Sequence, residues 1–309
     1  MHLNFVTIVD VKYLPRALAL LQSIERHCPQ FHCWIVALDD QAATLLRALN
    51  LPQTTVVCIS DLNDPELASV RAGRTIAEFS WTAKPSILQY IMRRIQPDEG
   101  VTYLDADLFL CSDPIPLYTS LQDVSIAITP HRFSPPDPEK ERLVGKYNAG
   151  WIYMKNDATA EACLNRWHGQ CIAWCYYRYE DGKLGDQMYL DEWVGRYPNV
   201  RDIADIGVNA GPWNMRGKAV LRHNRLTLDD QPLVWYHFHA IKMYLDRRGK
   251  LRPYPVSIVD PYLYALYFED LNEATRRLRR VDPSYTVVAD PHPGFARILK
   301  QHLFRLFHV

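Results

Sequence analysis

The stretch that decides the fold of this chain is VTYLDADLFLCSDP, residues Val101 to Pro114. Its first residues are strand formers in a mostly apolar run, as a buried central strand requires. Asp105 and Asp107 follow at positions i and i+2, so an extended chain points both carboxylates to the same face. Two such carboxylates repel each other unless a cation lies between them, and the spacing suits Mg²⁺ or Mn²⁺. An isolated Asp-x-Asp also arises by chance, as a polar strand end before a turn such as Ser112 to Pro114.

The N-terminal part of the chain predicts the sheet around this strand. Predicted strands and helices alternate as Asn4 to Val9 (strand), Leu14 to His27 (helix), Cys33 to Leu38 (strand), Gln41 to Leu49 (helix) and Thr54 to Ser60 (strand). This rhythm is typical of a parallel sheet with helices on both faces, which binds ligands at the carboxyl ends of its strands. Asp10 follows the first strand and Asp39 the second. We therefore expect both to lie on the edge that carries the Asp-Ala-Asp turn.

Composition limits the classes of protein that the chain can belong to. Its 309 residues allow one large domain or two small ones, and a 48% hydrophobic content is ample for a core. Basic and acidic residues both number 35, and zero net charge argues against a general nucleic-acid binder. Met1 to Tyr13 lacks the basic region of a signal peptide, and no apolar run reaches transmembrane length. Seven cysteines without paired spacing predict reduced thiols in a cytoplasmic protein.

Two polar positions in the middle of the chain could contact a charged or polar ligand. Lys84 is predicted at the entrance of a helix from Pro85 to Arg94, where ammonium and helix N-terminus together suit a diphosphate. The alternative for Lys84 is a solvated surface charge. Asn148 precedes an apolar strand, Trp151 to Met154, and offers both a donor and an acceptor. The Pro-rich, charged segment Pro135 to Lys146 between them is predicted to be a loop, in the manner of a mobile lid.

Two later segments also place polar side chains near strand or helix ends. The Gly-Asp-Gln sequence at residues 185–187 leads into a predicted helix, where Asp186 either caps that helix or faces a ligand. Residues 233–239 (LVWYHFH) are predicted to be a strand with His237 and His239 on the same face. Periodicity alone cannot decide which of the two imidazoles binds a ligand.

The C-terminal part of the chain is predicted to be separate from the site. Pro253 to Pro261 is a Pro-rich boundary, which divides a domain at residues 1–250 from a helical extension at residues 251–309. We expect no catalytic group beyond Tyr244. The last segment, Phe295 to Phe307, gathers its apolar residues on one helical face, for docking onto the body or for peripheral contact with the inner face of a membrane.

Four motifs taken together resemble a known enzyme family. In chain order they are YLDADLFLCSDP, YNAGWIYMKN, GDQMYLD and YHFHAIK, and they resemble glycosyltransferase family 8 and related nucleotide-diphospho-sugar transferases. The resemblance implies a GT-A fold, a Rossmann-like α/β architecture with a mixed, mainly parallel sheet flanked by helices, followed by a C-terminal helical extension. It also implies Mn²⁺ or Mg²⁺, a nucleotide-diphospho-sugar donor of the UDP-sugar type, and retention. The acceptor would be a sugar, a lipid-linked molecule or a protein.

The resemblance assigns roles residue by residue. The implied metal ligands are Asp105, Asp107 and His237. The implied donor-binding residues are Asp10, Tyr13, Lys84, Asp105, Ala106, Asn148 and Lys242. The residues implied at the reacting carbon and the leaving group are Asp186, Gln187 and Lys84. Ala240 replaces the family's glycine and Lys242 comes one residue early, so His239 remains an alternative ligand and the chain resembles a divergent, bacterial-type branch.

Two other functions remain open from the residues alone. A sugar-phosphate nucleotidyltransferase shares the α/β sheet and the metal, but normally has a Gly-rich, basic loop after the first strand. The segment Ile8 to Leu14 contains no glycine, which argues against that class. A non-catalytic nucleotide-sugar binding protein is the third alternative, and the intact set of acidic residues and His237 argues against it.

Overall fold

A seven-stranded sheet forms the centre of the computed structural model, which describes residues 1–215, 219–222, 225–255 and 258–292. The strands are β1 (Leu3–Val9), β2 (Phe31–Ala37), β3 (Thr54–Cys58), β4 (Gly100–Leu104), β5 (Leu108–Leu110), β6 (Ile126–Pro130), β7 (Tyr147–Lys155), β8 (Val200–Asp202), β9 (Val220–Arg222), β10 (Arg225–Leu228), β11 (Gln231–Pro232), β12 (Trp235–His237), β13 (Met243–Leu245) and β14 (Leu251–Pro253). The central sheet has the order β3-β2-β1-β4-β7-β6-β8. Strands β4 and β6 pair antiparallel with β7, and the other neighbours are parallel. The sheet is therefore mixed and mainly parallel, as predicted.

Helices cover both faces of this sheet. They are α1 (Leu14–His27), α2 (Asp40–Ala48), α3 (Pro65–Val70), α4 (Ile76–Met92), α5 (Ile115–Thr119), α6 (Pro138–Val144), α7 (Ala158–Ala173), α8 (Trp193–Arg196) and α9 (Pro261–Val281), with 3₁₀ turns at Ile59–Leu62, Arg71–Gly73 and Gln187–Glu192. Phe5 of β1 packs in the apolar cluster that contains residues of α1, α2 and α9, whereas Val6 packs in the cluster that contains residues of α4 and α7. Because both faces of β1 are buried, its sequence is a nearly continuous apolar run.

Helix α4 differs from its prediction. Thr75 caps its N-terminus, since the Thr75 hydroxyl accepts from the backbone N–H of Glu78 and the Glu78 carboxylate accepts from that of Thr75. The helix continues through Pro85. Proline has no backbone N–H, so the carbonyl of Trp81 loses its helical hydrogen bond. Lys84 therefore lies inside a long helix and is buried. Its predicted place at a helix entrance is wrong, as is the alternative of a solvated charge.

The chain after α9 returns to the carboxyl edge of the sheet. Helix α9 packs on α1, where Arg26 forms a two-point ion pair with Asp270. Residues 282–292, which we call the C-terminal strap, then run back across this face. The Tyr285 hydroxyl donates to the carbonyl of Val11 at 3.1 Å, and Asp290 exchanges two hydrogen bonds with the backbone of Met243. The predicted helical segment Phe295 to Phe307 lies outside the described residues, and the division at residue 250 stays a prediction.

Other expectations concern loops, thiols and membrane segments. The predicted loop at residues 135–146 contains the short helix α6, which Asp137 caps. All seven cysteines, which fall within the described ranges, are free thiols, and Cys58 is the one that is partly exposed. Of the helices that the structure describes, none has both the length and the apolar character needed to cross a bilayer.

Candidate active site

A turn after β4 and the pairing of β5 with β12 bring the acidic motif and the distal histidine together at the carboxyl edge of the sheet. After β4, the Asp105 N–H donates to the carbonyl of Gly150 at 2.8 Å, and the chain turns into β5. Strand β5 pairs antiparallel with β12, so that His237 lies opposite Leu108. The Phe238 N–H donates to the carbonyl of Asp107 at 2.9 Å. Backbone hydrogen bonds therefore hold the two motifs against each other, although 130 positions of the numbering separate Asp107 from His237.

Asp105, Asp107 and His237 form a cluster whose potential ligand atoms all lie within 4.8 Å of one another. The Nε2 atom of His237 lies 3.0 Å from Asp107 Oδ1 and 3.9 Å from Asp105 Oδ2. The two carboxylates are partly exposed and the imidazole is buried, so the cluster opens to solvent on its acidic side. Two carboxylate oxygens and one imidazole nitrogen are a donor set that suits Mn²⁺ or Mg²⁺. His239 is exposed and outside this cluster, with its ring centre 5.6 Å from that of His237.

The ionisation of this cluster reflects its burial and its charges. Burial opposes a charge on Asp107, but His237, together with His239 and Arg16, outweighs burial and lowers the pKa of the carboxyl. Burial likewise opposes a charge on His237, but the Asp107 and Asp105 carboxylates together outweigh it and raise the pKa of the imidazole. The site thus attracts a positive charge to the space between the three side chains.

Lys84 adds a second charged group next to the acidic motif. Its Nζ lies 2.9 Å from Asp186 Oδ2 and 3.3 Å from Asp105 Oδ1, and it donates to the carbonyl of Ala149 at 3.0 Å. Burial opposes a charge on Lys84, but Asp105 and Asp186 outweigh it and raise the pKa of the ammonium. For Asp186, burial is the larger influence and raises the pKa of the carboxyl, while Lys84 counteracts it. We take Lys84 to be charged, because it has two carboxylates as neighbours.

These neighbouring groups leave an excess of negative charge. Lys84 pairs with Asp105 and Asp186, and Asp107 lies beside His237, so these four charged side chains together carry two net negative charges when His237 is neutral. A divalent cation would neutralise them. The charge balance and the donor set therefore fit the same kind of ion.

Asn148 and Gly150 support the cluster from β7. The Asn148 side-chain oxygen accepts from the Gly150 N–H and from Asn209 Nδ2, both at 3.0 Å, and its nitrogen faces His131 Nε2 at 3.4 Å. Burial lowers the pKa of His131 to about 4, so this imidazole is neutral. The Asn209 amide also contacts Nδ1 of His237 at 3.1 Å. Asn209 was missed by sequence reasoning, since its only signal was a polar, Gly- and Pro-containing loop at residues 208–214.

Asp10 and Tyr13 lie at the end of β1, where a nucleotide was predicted. The Asp10 carboxylate accepts from the Tyr13 N–H at 2.9 Å, and the Asp39 carboxylate accepts from the Val11 N–H at 2.9 Å. Burial raises the pKa of the Tyr13 hydroxyl, and Asp107 is among the acidic groups that add to this effect. Because β1 pairs in parallel with β4, the turn at residues 10–13 and the acidic motif follow neighbouring strands at one edge of the sheet, as expected.

The remaining predicted site residues have different surroundings. Ala106 is buried between the two aspartates. The Gln187 side chain donates to the carbonyl of Val144 at 2.7 Å, at the end of α6. Lys242 is exposed, and its carbonyl accepts from the Tyr254 N–H. The structure thus gathers Lys84, Asp105, Asp107, Asp186 and His237 tightly, and shows no side-chain contact between Lys242 and this group among the described residues.

Comparisons with other sequences place the chain in a family. No family model matches it. It is 31% identical over 289 residues to the uncharacterized protein YfnF of Bacillus subtilis (strain 168), a match that covers 91% of this chain and 95% of YfnF. The chain belongs to the YfnF family. The uncharacterized protein YfnD of the same strain is 28% identical over 251 residues, which covers 80% of this chain and 81% of YfnD.

Comparison with solved structures shows the fold of this YfnF relative. The galactosyltransferase LgtC, solved in complex with donor and acceptor sugar analogs, superposes with a TM-score of 0.55 at 16% sequence identity. The match covers 96% of this chain and 100% of LgtC. The chain therefore has the GT-A fold that the motifs implied, with a mainly parallel sheet flanked by helices.

Proposed function

We propose that this YfnF relative is a metal-dependent glycosyltransferase that moves a sugar from a nucleotide-diphospho-sugar, of the UDP-sugar type, to an acceptor. The observation that carries the proposal is the cluster of Asp105, Asp107 and His237 beside the buried pair of Lys84 and Asp186. The GT-A fold and the order of the four motifs support it. They also support a place in a divergent, bacterial-type branch of glycosyltransferase family 8, with retention at the anomeric carbon.

In this proposal the cluster holds the cation and the residues around it hold the donor. Asp105, Asp107 and His237 are the ligands that the protein provides. Bound there, Mn²⁺ or Mg²⁺ would offset the negative charge that develops on the departing diphosphate. The donor would contact the turn at Asp10 and Tyr13, the backbone at Ala106, and the polar groups of Asn148 and Lys242.

Asp186, Gln187 and Lys84 are proposed to act at the reacting centre. A sugar that loses its phosphate acquires positive, oxocarbenium-like character, which a carboxylate or an amide oxygen nearby stabilises. Asp186 is buried and faces Lys84, so its carboxylate is held in one orientation. The Lys84 ammonium adds positive potential next to Asp105, on the side where the diphosphate would leave.

A donor screen tests the proposal. The purified protein is incubated with radiolabelled nucleotide sugars and Mn²⁺, and the products are separated. Slow donor hydrolysis, or transfer to an added sugar, is expected with a UDP-sugar. Pyrophosphorolysis would identify a nucleotidyltransferase, and binding without turnover a non-catalytic binding protein.

Matched variants connect this activity to the metal site. Asp105→Asn and Asp107→Asn are expected to abolish turnover and to weaken donor binding in Mn²⁺. The control is Asp98→Asn, which changes an exposed aspartate at the opposite end of β4 that pairs with Lys155. Full activity of the wild-type protein in excess chelator would contradict the metal requirement.

We also propose that the protein works in the cytoplasm, where its last segment either docks onto the body or contacts the inner face of the membrane. The free thiols and the apolar residues of Phe295 to Phe307 support this location. The acceptor would be a sugar, a lipid-linked molecule or a protein, and zero net charge argues against nucleic acid. Co-sedimentation of the whole chain with anionic vesicles, and its loss after removal of residues 293–309, would test the membrane contact.

A further inference from the structure

We propose that Asn209 is a positioning residue for the metal site: its side-chain oxygen holds His237 with the proton on Nδ1, which leaves Nε2 to face the cation. The inference rests on the proposed metal-dependent function and adds a residue that none of the four motifs contains. It follows from the direction of each hydrogen bond in a series of side-chain contacts that leads from β7 to His237.

The first step fixes the orientation of the Asn148 amide. The backbone N–H of Gly150 can only donate, so the Asn148 atom that it meets at 3.0 Å must be the oxygen. The other Asn148 atom is then the nitrogen, which faces Nε2 of His131 at 3.4 Å. The carbonyl of Gly145 lies 3.1 Å from Nδ1 of His131, so Nδ1 carries the proton and Nε2 accepts. The contacts with Gly150 and with His131 therefore require the same orientation of the Asn148 amide.

The second step fixes the orientation of the Asn209 amide. The Asn148 oxygen, 3.0 Å away, can only accept, so the Asn209 atom next to it must be the nitrogen. That nitrogen also donates its second hydrogen to the Thr129 hydroxyl, which lies 2.7 Å away. The Asn209 oxygen therefore faces Nδ1 of His237 at 3.1 Å.

The third step concerns the imidazole of His237. An amide oxygen only accepts, so Nδ1 of His237 must be the protonated nitrogen. In the neutral ring Nε2 then carries the lone pair, and it points at the carboxylates of Asp105 and Asp107. A lone pair that faces two carboxylates is the arrangement a cation requires, and a hydrogen-bonded partner on the other nitrogen is usual for metal-binding histidines.

The backbone around Asn209 keeps its amide in place. Asn209 is buried and has a left-handed conformation (φ 56°), which asparagine tolerates well. Its neighbour Ala210 exchanges hydrogen bonds with β12, through Trp235 and His237. The Arg132 guanidinium donates to three carbonyls of residues 203–208 and so holds the segment that leads into the loop of Asn209. The loop therefore moves with the strand that carries His237.

The test measures Mn²⁺ binding by calorimetry on the whole, donor-free protein. Asn209→Gly removes the amide and leaves a backbone that accepts φ 56°, and it should weaken Mn²⁺ binding about 10- to 100-fold. Asn209→Asp retains an oxygen for His237 Nδ1–H but loses the donor to Asn148, so it should bind Mn²⁺ more tightly than Asn209→Gly and more weakly than the wild-type protein. The control is Asn199→Gly, at an exposed asparagine with nearly the same φ (55°), which should bind Mn²⁺ like the wild-type protein.

The outcomes separate this inference from the proposed function. A wild-type protein that does not bind Mn²⁺ would overturn both. Wild-type affinity in Asn209→Gly, or an equal loss in Asn199→Gly, would overturn the role of Asn209 alone. If Asn209→Gly does not fold, nitrogen-15 NMR of the Mg²⁺-loaded wild-type protein decides, with His237 assigned from His237→Ala. Protonation of Nδ1 supports the inference, and protonation of Nε2 overturns it.

Discussion

Gly150 leaves space for the His237 ring, and a single methyl group would fill that space. A Cβ atom at position 150 would lie 2.5 Å from Cε1 of His237 and 2.8 Å from the Asn148 side-chain oxygen. Gly150→Ala should displace the imidazole and weaken Mn²⁺ binding about tenfold or more, because metal sites depend on well-placed ligands. Calorimetric titration measures the loss. Gly169→Ala, where a methyl group meets nothing within 4 Å, is the control, and equal affinity in both variants would contradict the prediction.

The ion pair of Lys84 and Asp186 should be costly to break from one side only. Their side chains are 2% and 6% exposed, so Lys84→Met leaves a buried carboxylate without its partner. We expect a loss of about 3–5 kcal/mol in the free energy of unfolding, measured by urea titration. The double variant Lys84→Met/Asp186→Asn should recover much of that loss, because it removes both charges. Equal stability of the single and double variants would show that the pair is not coupled.

The sequence predicted best which side chains lie close together where a motif or a spacing marked them. The cluster of Asp105, Asp107 and His237 comes together as expected. Alternation on one strand could not separate His237 from His239. The separation comes from tertiary structure: β12 ends at His237, and Ala240 then turns the chain with a positive φ. Asn209 could not be predicted, because its role depends on hydrogen bonds to residues 28 and 61 positions away.

At the scale of elements, Gln187 connects the 3₁₀ turn at Gln187–Glu192 to helix α6. Its side chain donates to the carbonyl of Val144, the last residue of α6. Gln187→Ala should release this end of the helix and increase trypsin cleavage after Lys140 and Arg142, which are both exposed. Mass spectrometry of the early fragments measures the effect. Gln41→Ala, at an exposed glutamine of α2, is the control, and an unchanged cleavage rate in Gln187→Ala would refute the link.

The bounds of β1, β2, β3, α1 and α2 were predicted to within two residues, whereas those of α4 and α6 were not, and the reasons are local. Strands β1 and β2 are long apolar runs, so their burial is visible in sequence. The start of α4 was wrong because Pro85 resembles a helix start, whereas the capping pair of Thr75 and Glu78 sets the actual start. Helix α6 was missed because its charged residues lack an apolar face.

At the scale of the whole molecule, the C-terminal strap changes what truncation should do. Truncation after Arg280 removes Tyr285, whose hydroxyl contacts the carbonyl of Val11 beside the proposed nucleotide turn. Truncation after His292 keeps the strap. We expect the shorter protein to bind UDP several-fold more weakly than the longer one, measured by calorimetry. The sequence suggested no such contact, because the strap contains none of the motifs.

A point variant isolates the hydroxyl from the rest of the strap. Tyr285→Phe keeps the buried ring and leaves the Val11 carbonyl without this donor, at a cost of about 1 kcal/mol. If the turn at residues 10–13 binds the nucleotide, UDP affinity should fall by about fivefold or less. Identical UDP affinity for the two truncated proteins and for Tyr285→Phe would indicate that the strap does not influence the donor site.

The contact between Tyr285 and Val11 also has a consequence for how the protein is made. The two residues are 274 positions apart, so the ribosome releases the first strand long before the strap. Contacts this distant in the chain form late, because loop closure has to be offset by other interactions first. A nascent chain therefore lacks this contact at the proposed nucleotide turn until Tyr285 has been synthesised. In refolding experiments, nucleotide binding should accordingly appear with the final step, after the helical signal has developed.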